Sequence, residues 1–443
     1  MEKLPKAVRR LILTVTSSIA FWPTLIGLTF FLLSVYVWHF ESTNWSKSLE
    51  AHLPFFKNAK ESTQNARLLL NIIGAGTITL TIFSFSMVMI VLSQASSNLS
   101  PRIIPGLVSD KYHQIVLGVY VGTIIYTLSL IISFKPGEAI QAIPVIGILL
   151  DLFFFILCLA LFVFFIHSIS RAIQVENILT NIYKGALKDF QIEVVATPDE
   201  GVQLPDTQAW YVFNSLESGY LRRIEKEKLL RFAQDNNVMV EVMHPLGAFL
   251  VVGQPFLKFN RDVSQLAGLE EKMMDCFIFF FEEMVVPDFE LNLRKISEIA
   301  VKALSPGIND PGTAIKALDL MTLIFYKIFT TTEIHYLKNK EKKIQVILTR
   351  TTPRELLYRY LTPIRTYGKK DVMVVLKILD SLRTLIFLDI KTRISLPELF
   401  EQVNTIRADT NEAIVNPEDR AKVNITLEQI SEILPPGYSL SRL

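Results

Sequence analysis

The pattern of apolar and polar positions divides the chain in two. Residues 19–38, 68–92, 115–134 and 142–166 are apolar runs. Each matches the roughly 20 residues a helix needs to cross the hydrocarbon of a bilayer. The first three are free of charge and the fourth holds one charge, Asp151. Trp22, Tyr36 and Trp38 stand near the ends of the first run, where aromatic rings favour the membrane interface. The pattern predicts four transmembrane helices.

Beyond residue 170 the apolar positions become periodic. Ala172, Val175, Ile178, Leu179, Ile182 and Leu187 keep helical spacing, so the fourth span continues or a second helix follows it closely. A Pro/Asp/Gln-rich linker covers 196–209. Next, "AWYVFNS", "GYLRRI", "VMVEVMH" and "AFLVVGQPF" read as strands, the last two joined by a tight "PLG" turn. The charged "EKEKLLRFAQDNN" between them reads as a short helix, and "FIFFF" at 277–281 as a buried strand too short to span a bilayer.

From Asp288, a candidate cap, the period turns helical, with Leu293, Ile296, Ala300, Ala303 and Leu304 on one face. Ile315, Leu318, Thr322, Phe325 and Phe329 form the buried face of the next helix. "TPIRTYGKKDVMVVLKILDSLRTLIFL" reads as a helix end, a glycine stop and another helix, and "ISLPELFEQVNTIRADTNEAI" as one more. "KNKEKK" reads as a solvated loop and "ILPPGYSLSRL" as a frayed tail. The expected fold class is a membrane α-helical domain of four transmembrane helices, followed by a cytosolic α+β domain with a small β-rich module and helical hairpins. The expected segments are 1–170 in the membrane, 171–206 as connecting helix and linker, 207–285 as the β-rich module and 286–443 as helical.

Composition agrees with this division. The 443 residues are 50% hydrophobic and only 20% charged, with a mean hydropathy of +0.35. Of 45 Lys/Arg and 43 Asp/Glu, residues 1–170 carry 11 and 7, leaving a near-neutral remainder with 34 and 36. Neither part has the basic excess that binding a phosphate backbone requires, so nucleic acid is not an expected partner. Cys158 and Cys276 are the two cysteines, too few for a disulfide framework or a Cys/His zinc site, and no metal or cofactor is expected. "MEKLPKAVRRLILT" resembles a signal n-region, but the apolar run behind it lacks a small-residue cleavage site and reads as a retained anchor.

Positive residues orient the spans. Lys3, Lys6, Arg9, Arg10, Arg102, Lys111, Arg171, Lys184 and Lys188 fall on one side; Lys47, Lys57, Lys60, Arg67 and Lys135 fall on the other. Nine against five places both termini in the cytoplasm.

Three sets of residues are candidates for chemistry. In "GVYVGT", Gly118 and Gly122 lie four apart and allow another backbone to approach closely. In the second span, Thr77, Thr81 and Ser84 share one face; such hydroxyls can line a hydrated pore or bond a neighbouring helix or their own i−4 carbonyl. Asp151, if inside the bilayer, must face a cavity or a partner. If its span begins instead at Leu152, it lies at the interface.

The third set is "SPGINDP", residues 305–311. Pro306 ends the helix before it, and Pro306-Gly307 fits the centre of a type II turn in which glycine supplies the positive φ. Asp310 is a good N-cap, followed by Pro311 in the first helical position. The expected structure is a helical hairpin with a rigid elbow. The alternative is a polar or ionic site built from Ser305, Asn309, Asp310 and the amides of Gly312 and Thr313.

"SFSMVMIVLSQASSNLSPR" (84–102), "QIVLGVYVGTIIY" (114–126), "HSISRAIQVENI" (167–178), "IAVKALSPGINDPGTA" (299–314) and "PIRTYGKKD" (363–371) together resemble a bacterial family of predicted membrane proteins catalogued as domain-of-unknown-function family twenty-two fifty-four. The resemblance implies four membrane helices and a cytosolic domain in a bacterial inner membrane, and no particular activity. The family pattern has an Arg-Thr pair ahead of an acidic residue before this elbow. Here the positions hold Glu283 and Met284, with Asp288 retained.

No phosphate-binding glycine loop, HExxH motif or nucleophile elbow occurs, and His167 and His244 stand alone, so catalysis is not expected. The expected function is an oligomeric ion channel or ion-handling protein with a cytosolic regulatory domain. Its partners would be the lipid bilayer, further copies of itself and an inorganic ion. The alternative is a non-conducting scaffold or sensor that binds a soluble partner.

Overall fold

The structure, a computed structural model, describes residues 20–41, 59–98, 111–133, 144–172, 174–193, 204–266, 268–281, 289–330, 336–339, 341, 343–389 and 396–443. It forms two compact units, Met1–Ile178 and Leu179–Leu443.

Among the described residues, the first unit has four long helices, α1 (Phe21–Glu41), α2 (Ala59–Asn98), α3 (Lys111–Ser133) and α4 (Val145–Ala172). Their apolar spans, Phe21–Phe40, Gln64–Gln94, Lys111–Ser133 and Val145–Arg171, fall where the hydropathy pattern puts them. Helix α3 is central: 44% of its apolar window is buried, against 17% for α1 and α2 and 28% for α4. It packs on all three other helices. Leu70, Ile73, Tyr120, Tyr126, Ile148 and Cys158 point inward, yet Ile72, Ile82, Phe85, Ile132, Phe153 and Val163 are exposed. Helices apolar on the outside as well as the inside suit lipid as solvent.

Helix α5 (Val175–Glu193) begins three residues after α4 ends, as the continuing helical period requires. In the second unit, strands β1 (Tyr211–Asn214), β2 (Gly219–Ile224), β3 (Val240–Val242), β4 (Phe249–Leu250), β5 (Pro255–Phe259), β6 (Phe277–Phe280), β7 (Tyr336–Lys338) and β8 (Ile344–Leu348) make two sheets. One has the order β1-β5-β3-β8-β7 and the other β4-β2-β6. Helix α6 (Lys226–Asp235) and the short α7 (Leu269–Met274) pack on them. Leu221, Leu229, Phe232, Val240, Leu257, Phe259 and Val346 lie in one continuous core.

Two expectations about these strands fail. "AFLVVGQPF" is two strands: Gly253 takes a positive φ of 86°, and the Gln254 amide closes a turn on the Val251 carbonyl. Consequently β4 pairs with β2 in the smaller sheet, while β3 pairs with β5. Nor is the β-rich region confined to 207–285. Strand β3 pairs in parallel with β8, Val240 opposite Val346, so the central strand pair draws on distant sequence. "FIFFF" is a strand, β6, as its length required. "KNKEKK" lies where β7 turns into β8.

Among the described residues, six helices follow in this unit: α8 (Phe289–Ala303), α9 (Pro311–Thr330), α10 (Pro353–Gly368), α11 (Val372–Asp389), α12 (Leu396–Ala413) and α13 (Pro417–Ile433). Thr352 caps α10 by accepting the Glu355 amide, and Asn416 caps α13. Leu293, Ile296, Ala300 and Ala303 are buried as their spacing predicted. On α9 the buried line is Ala314, Ala317, Leu318, Met321, Ile324, Phe325 and Ile328, with Ile315 and Thr322 half-buried beside it. The tail is pinned, not frayed: Tyr438 packs edge-on against Phe400 at 4.9 Å, and the Leu443 amide donates to Asn424.

Candidate functional site

Asp151 lies on α4 within the apolar stretch Val145–Arg171, a candidate membrane span by length and hydropathy. It precedes Cys158, the middle of that span, by seven residues, about 10 Å at 1.5 Å per residue. With the span centred, that depth is within the roughly 15 Å half-thickness of the hydrocarbon. The side chain is fully buried, at 0% exposure. Oδ1 lies at hydrogen-bond distance, 2.9 Å, from the Thr127 hydroxyl oxygen on α3. Oδ2 has no hydrogen-bond partner among the described residues.

Thr127 also lies 2.9 Å from the carbonyl of Thr123, one turn earlier. Thr123 in turn contacts Cys158 at 3.4 Å, Oγ1 to Sγ. Ile148 and Phe154, three residues to either side of Asp151 on α4, join an apolar cluster with Leu70, Leu130 and Tyr126, whose hydroxyl donates to the Gly147 carbonyl. Nearer the middle of α4, Tyr120 Oη and Ser84 Oγ are neighbours, both buried and neither in a formed hydrogen bond. Asp151, Thr127, Thr123, Cys158, Tyr120 and Ser84 thus form a buried polar seam through α4, α3 and α2.

Of these residues, sequence reasoning singled out only Asp151 and Ser84 as candidates for chemistry. It missed Thr123 and Thr127, whose i, i+4 spacing on the third span was the available signal, and Cys158, which lies on the Asp151 face at i+7. Thr77 and Thr81 donate to their own i−4 carbonyls, at 2.8 Å to Ile73 and 2.8 Å to Thr77. That is the structural alternative weighed for a membrane hydroxyl. Gly118 and Gly122 face α1. A Cβ on Gly118 would come within 2.7 Å of Ile26, and one on Gly122 within 2.7 Å of Phe30. The close approach is within the bundle.

In the second unit, "SPGINDP" forms an elbow between α8 and α9, but not the type II turn. The Ser305 carbonyl accepts from the amides of both Ile308 and Asn309, making a single helical turn. The left-handed residue is Asn309, with φ of 50°, and Gly307 has no positive φ. Asparagine tolerates that region better than other side chains, which gives Asn309 its structural role. The Asp310 amide reaches back to the Ala303 carbonyl at 2.8 Å. Its carboxylate caps α9 by accepting from the Thr313 amide and hydroxyl, at 3.1 and 2.6 Å. The Ser305 hydroxyl donates to the Lys302 carbonyl at 2.6 Å. The Thr313 amide proposed to hold a ligand is therefore engaged by Asp310 itself.

Sequence reasoning also missed a hub at the start of α8. Glu290 accepts from Arg359 at 2.8 Å, from the Tyr360 hydroxyl at 3.0 Å and from the Thr351 hydroxyl at 3.0 Å. Burial pushes the Tyr360 phenol above its usual range, and the adjacent Glu290 charge adds to the effect. Beside this hub, Lys226, Pro245, Leu246, Phe289, Leu348 and Arg350 line a small cleft. Glu283, Met284 and Asp288 fall outside the described residues. Among the described residues, no group of three His, Cys, Asp or Glu side chains is placed to hold a metal ion.

Comparison with known proteins agrees with a membrane protein. The family described as predicted membrane protein (DUF2254) matches residues 16–384. The chain belongs to this family. The DUF2254 match ends within α11, so α12 and α13 lie beyond it. Uncharacterized protein MT1328 of Mycobacterium tuberculosis and uncharacterized protein Mb1321c of Mycobacterium bovis are each 22% identical over 331 residues, covering 72% of this chain and 63% of theirs. The chain therefore spans less than two thirds of the length of these relatives. No solved structure matches.

Proposed function

We propose that this membrane protein handles inorganic ions, as a channel or related permeation protein, and is not an enzyme. The observation that carries the reading is Asp151, a fully buried carboxyl with one unpartnered oxygen at the end of a buried polar seam. Acidic groups inside a bilayer are costly and mark ion or proton pathways. The seam lies inside one four-helix bundle, so the pathway in this reading runs through a protomer, and a homo-oligomer repeats it. The positive-residue bias supports an orientation with both termini and the second unit in the cytoplasm, and the family resemblance supports a bacterial inner membrane.

Reconstitution of the full-length protein in planar bilayers and vesicles tests this. Ionic current or flux is expected, altered by Asp151→Asn and blocked by Ser84→Leu. A second reading, a non-conducting scaffold, draws on the exposed Leu246, Phe249, Val251 and Val252 around β4, which leave an apolar surface for a soluble protein. Silent bilayers together with a soluble partner bound in fixed stoichiometry would favour the scaffold. A mass measurement in detergent reads the subunit number.

A further inference from the structure

We propose that Asp151 is a proton-binding site, a carboxyl that takes up and releases H⁺ within the membrane bundle. This deepens the ion-handling reading and rests on it for its biological role.

The first argument is a count of hydrogens. A threonine hydroxyl carries one proton, yet Thr127 Oγ1 lies 2.9 Å from two acceptors, Asp151 Oδ1 and the Thr123 carbonyl. With the carboxyl ionised, one of these contacts has no hydrogen. A proton on Oδ1 completes the chain: Asp151 donates to Thr127, and Thr127 donates to Thr123. The orphan Oδ2 then belongs to a neutral group, far less costly to bury than half of an uncompensated charge.

The second argument is the absence of a countercharge among the described residues. Helix α3 presents Thr127 and the Tyr126 phenol, which is engaged by the Gly147 carbonyl. On α4 the other polar member of the seam is Cys158, in contact with Thr123 at 3.4 Å. Ala66 and Leu70 of α2 and Phe30 and Leu33 of α1 belong to the apolar cluster that Ile148 and Phe154, flanking Asp151 on α4, also join. Arg67 on α2 is exposed, and no lysine or arginine is among the buried residues. Among the described residues, no ion pair holds the Asp151 carboxyl.

The third argument selects the proton over a metal cation. A hard cation takes about six oxygen ligands. Among the described residues Asp151 has one oxygen partner, Thr127 Oγ1, and no group of three His, Cys, Asp or Glu side chains is placed to hold a metal ion. A proton needs one acceptor, which this site supplies.

Infrared difference spectroscopy of the full-length protein in lipid vesicles, with parallel flux measurements by an entrapped pH dye, tests the proposal. The expected result is a protonated-carboxyl carbonyl band at neutral pH, lost in Asp151→Asn and shifted in Thr127→Val, both variants keeping the wild-type helical content. Should Asp151→Asn not assemble, the shift in Thr127→Val carries the assignment. Absence of the band at neutral pH overturns the proposal. So does displacement of the band by sodium or potassium chloride at fixed pH, which would assign a metal cation and leave ion handling standing. A band that behaves as expected in vesicles impermeable to every ion tested keeps the proton site and overturns the ion-handling reading.

Discussion

The ring of Phe30 rests on the bare backbone of Gly122, so close that a Cβ on the glycine would come within 2.7 Å of it. Gly118 one turn earlier meets Ile26 and the backbone of Pro23 in the same way. The glycine pair is what allows α1 to lie flush on the central helix. Gly122→Ala is expected to destabilise the bundle by about 1–3 kcal/mol through overpacking. Gly74→Ala, whose Cβ would meet Thr127 Cγ2 at an ordinary 3.5 Å, is expected to be tolerated. Thermal unfolding in detergent compares the two.

Asn309 and Asp310 divide the work at the elbow. Asn309→Ala forces an ordinary side chain into the left-handed region and is expected to cost about 1–2 kcal/mol, while Asn309→Gly is expected to be near neutral. Asp310→Ala removes the α9 cap and is expected to cost about 1 kcal/mol. Chemical denaturation followed by circular dichroism measures all three. Loss of ion flux in Asn309→Gly with unchanged stability would return this segment to the list of ligand sites.

Tyr360 predicts a response to alkali. Its phenol titrates higher in the folded protein than in the unfolded chain, so the folded state holds that proton more tightly. The stabilisation is complete below the unfolded value of about 10 and declines as pH rises beyond it. Melting temperature is expected to fall from about pH 10 upward, and the fall to be shallower in Tyr360→Phe.

Glu290 joins three donors, so its replacements are expected to rank. Glu290→Gln keeps the shape and an acceptor and loses the charge opposite Arg359. Glu290→Ala leaves the buried Tyr360 hydroxyl without its acceptor, at a further cost of about 1–3 kcal/mol. If the two variants melt together, the hub contributes little to the second unit.

The spans were legible because lipid imposes one rule, an unbroken apolar length, that a single sequence displays directly. The helical elbow was legible for a similar reason, since proline and an N-cap act on their nearest neighbours. Its turn type was misread because Asn309, not Gly307, takes the positive φ, and both residues are able to do so. Thr127 escaped notice because hydroxyls are common in membrane helices. What distinguishes it is Asp151, 24 positions away and brought alongside by packing of α3 on α4. The sheets were harder still, since nothing local to "VMVEVMH" announces that its partner is "IQVIL".

That partnership sets a timetable for synthesis. Val240 leaves the ribosome roughly a hundred residues before Val346, an interval of about 5–20 s at ordinary elongation rates. Until then β3 presents an open hydrogen-bonding edge to whatever is nearby. A fragment cut after β6 would carry that raw edge permanently, and would be expected to clump where the longer polypeptide stays dispersed.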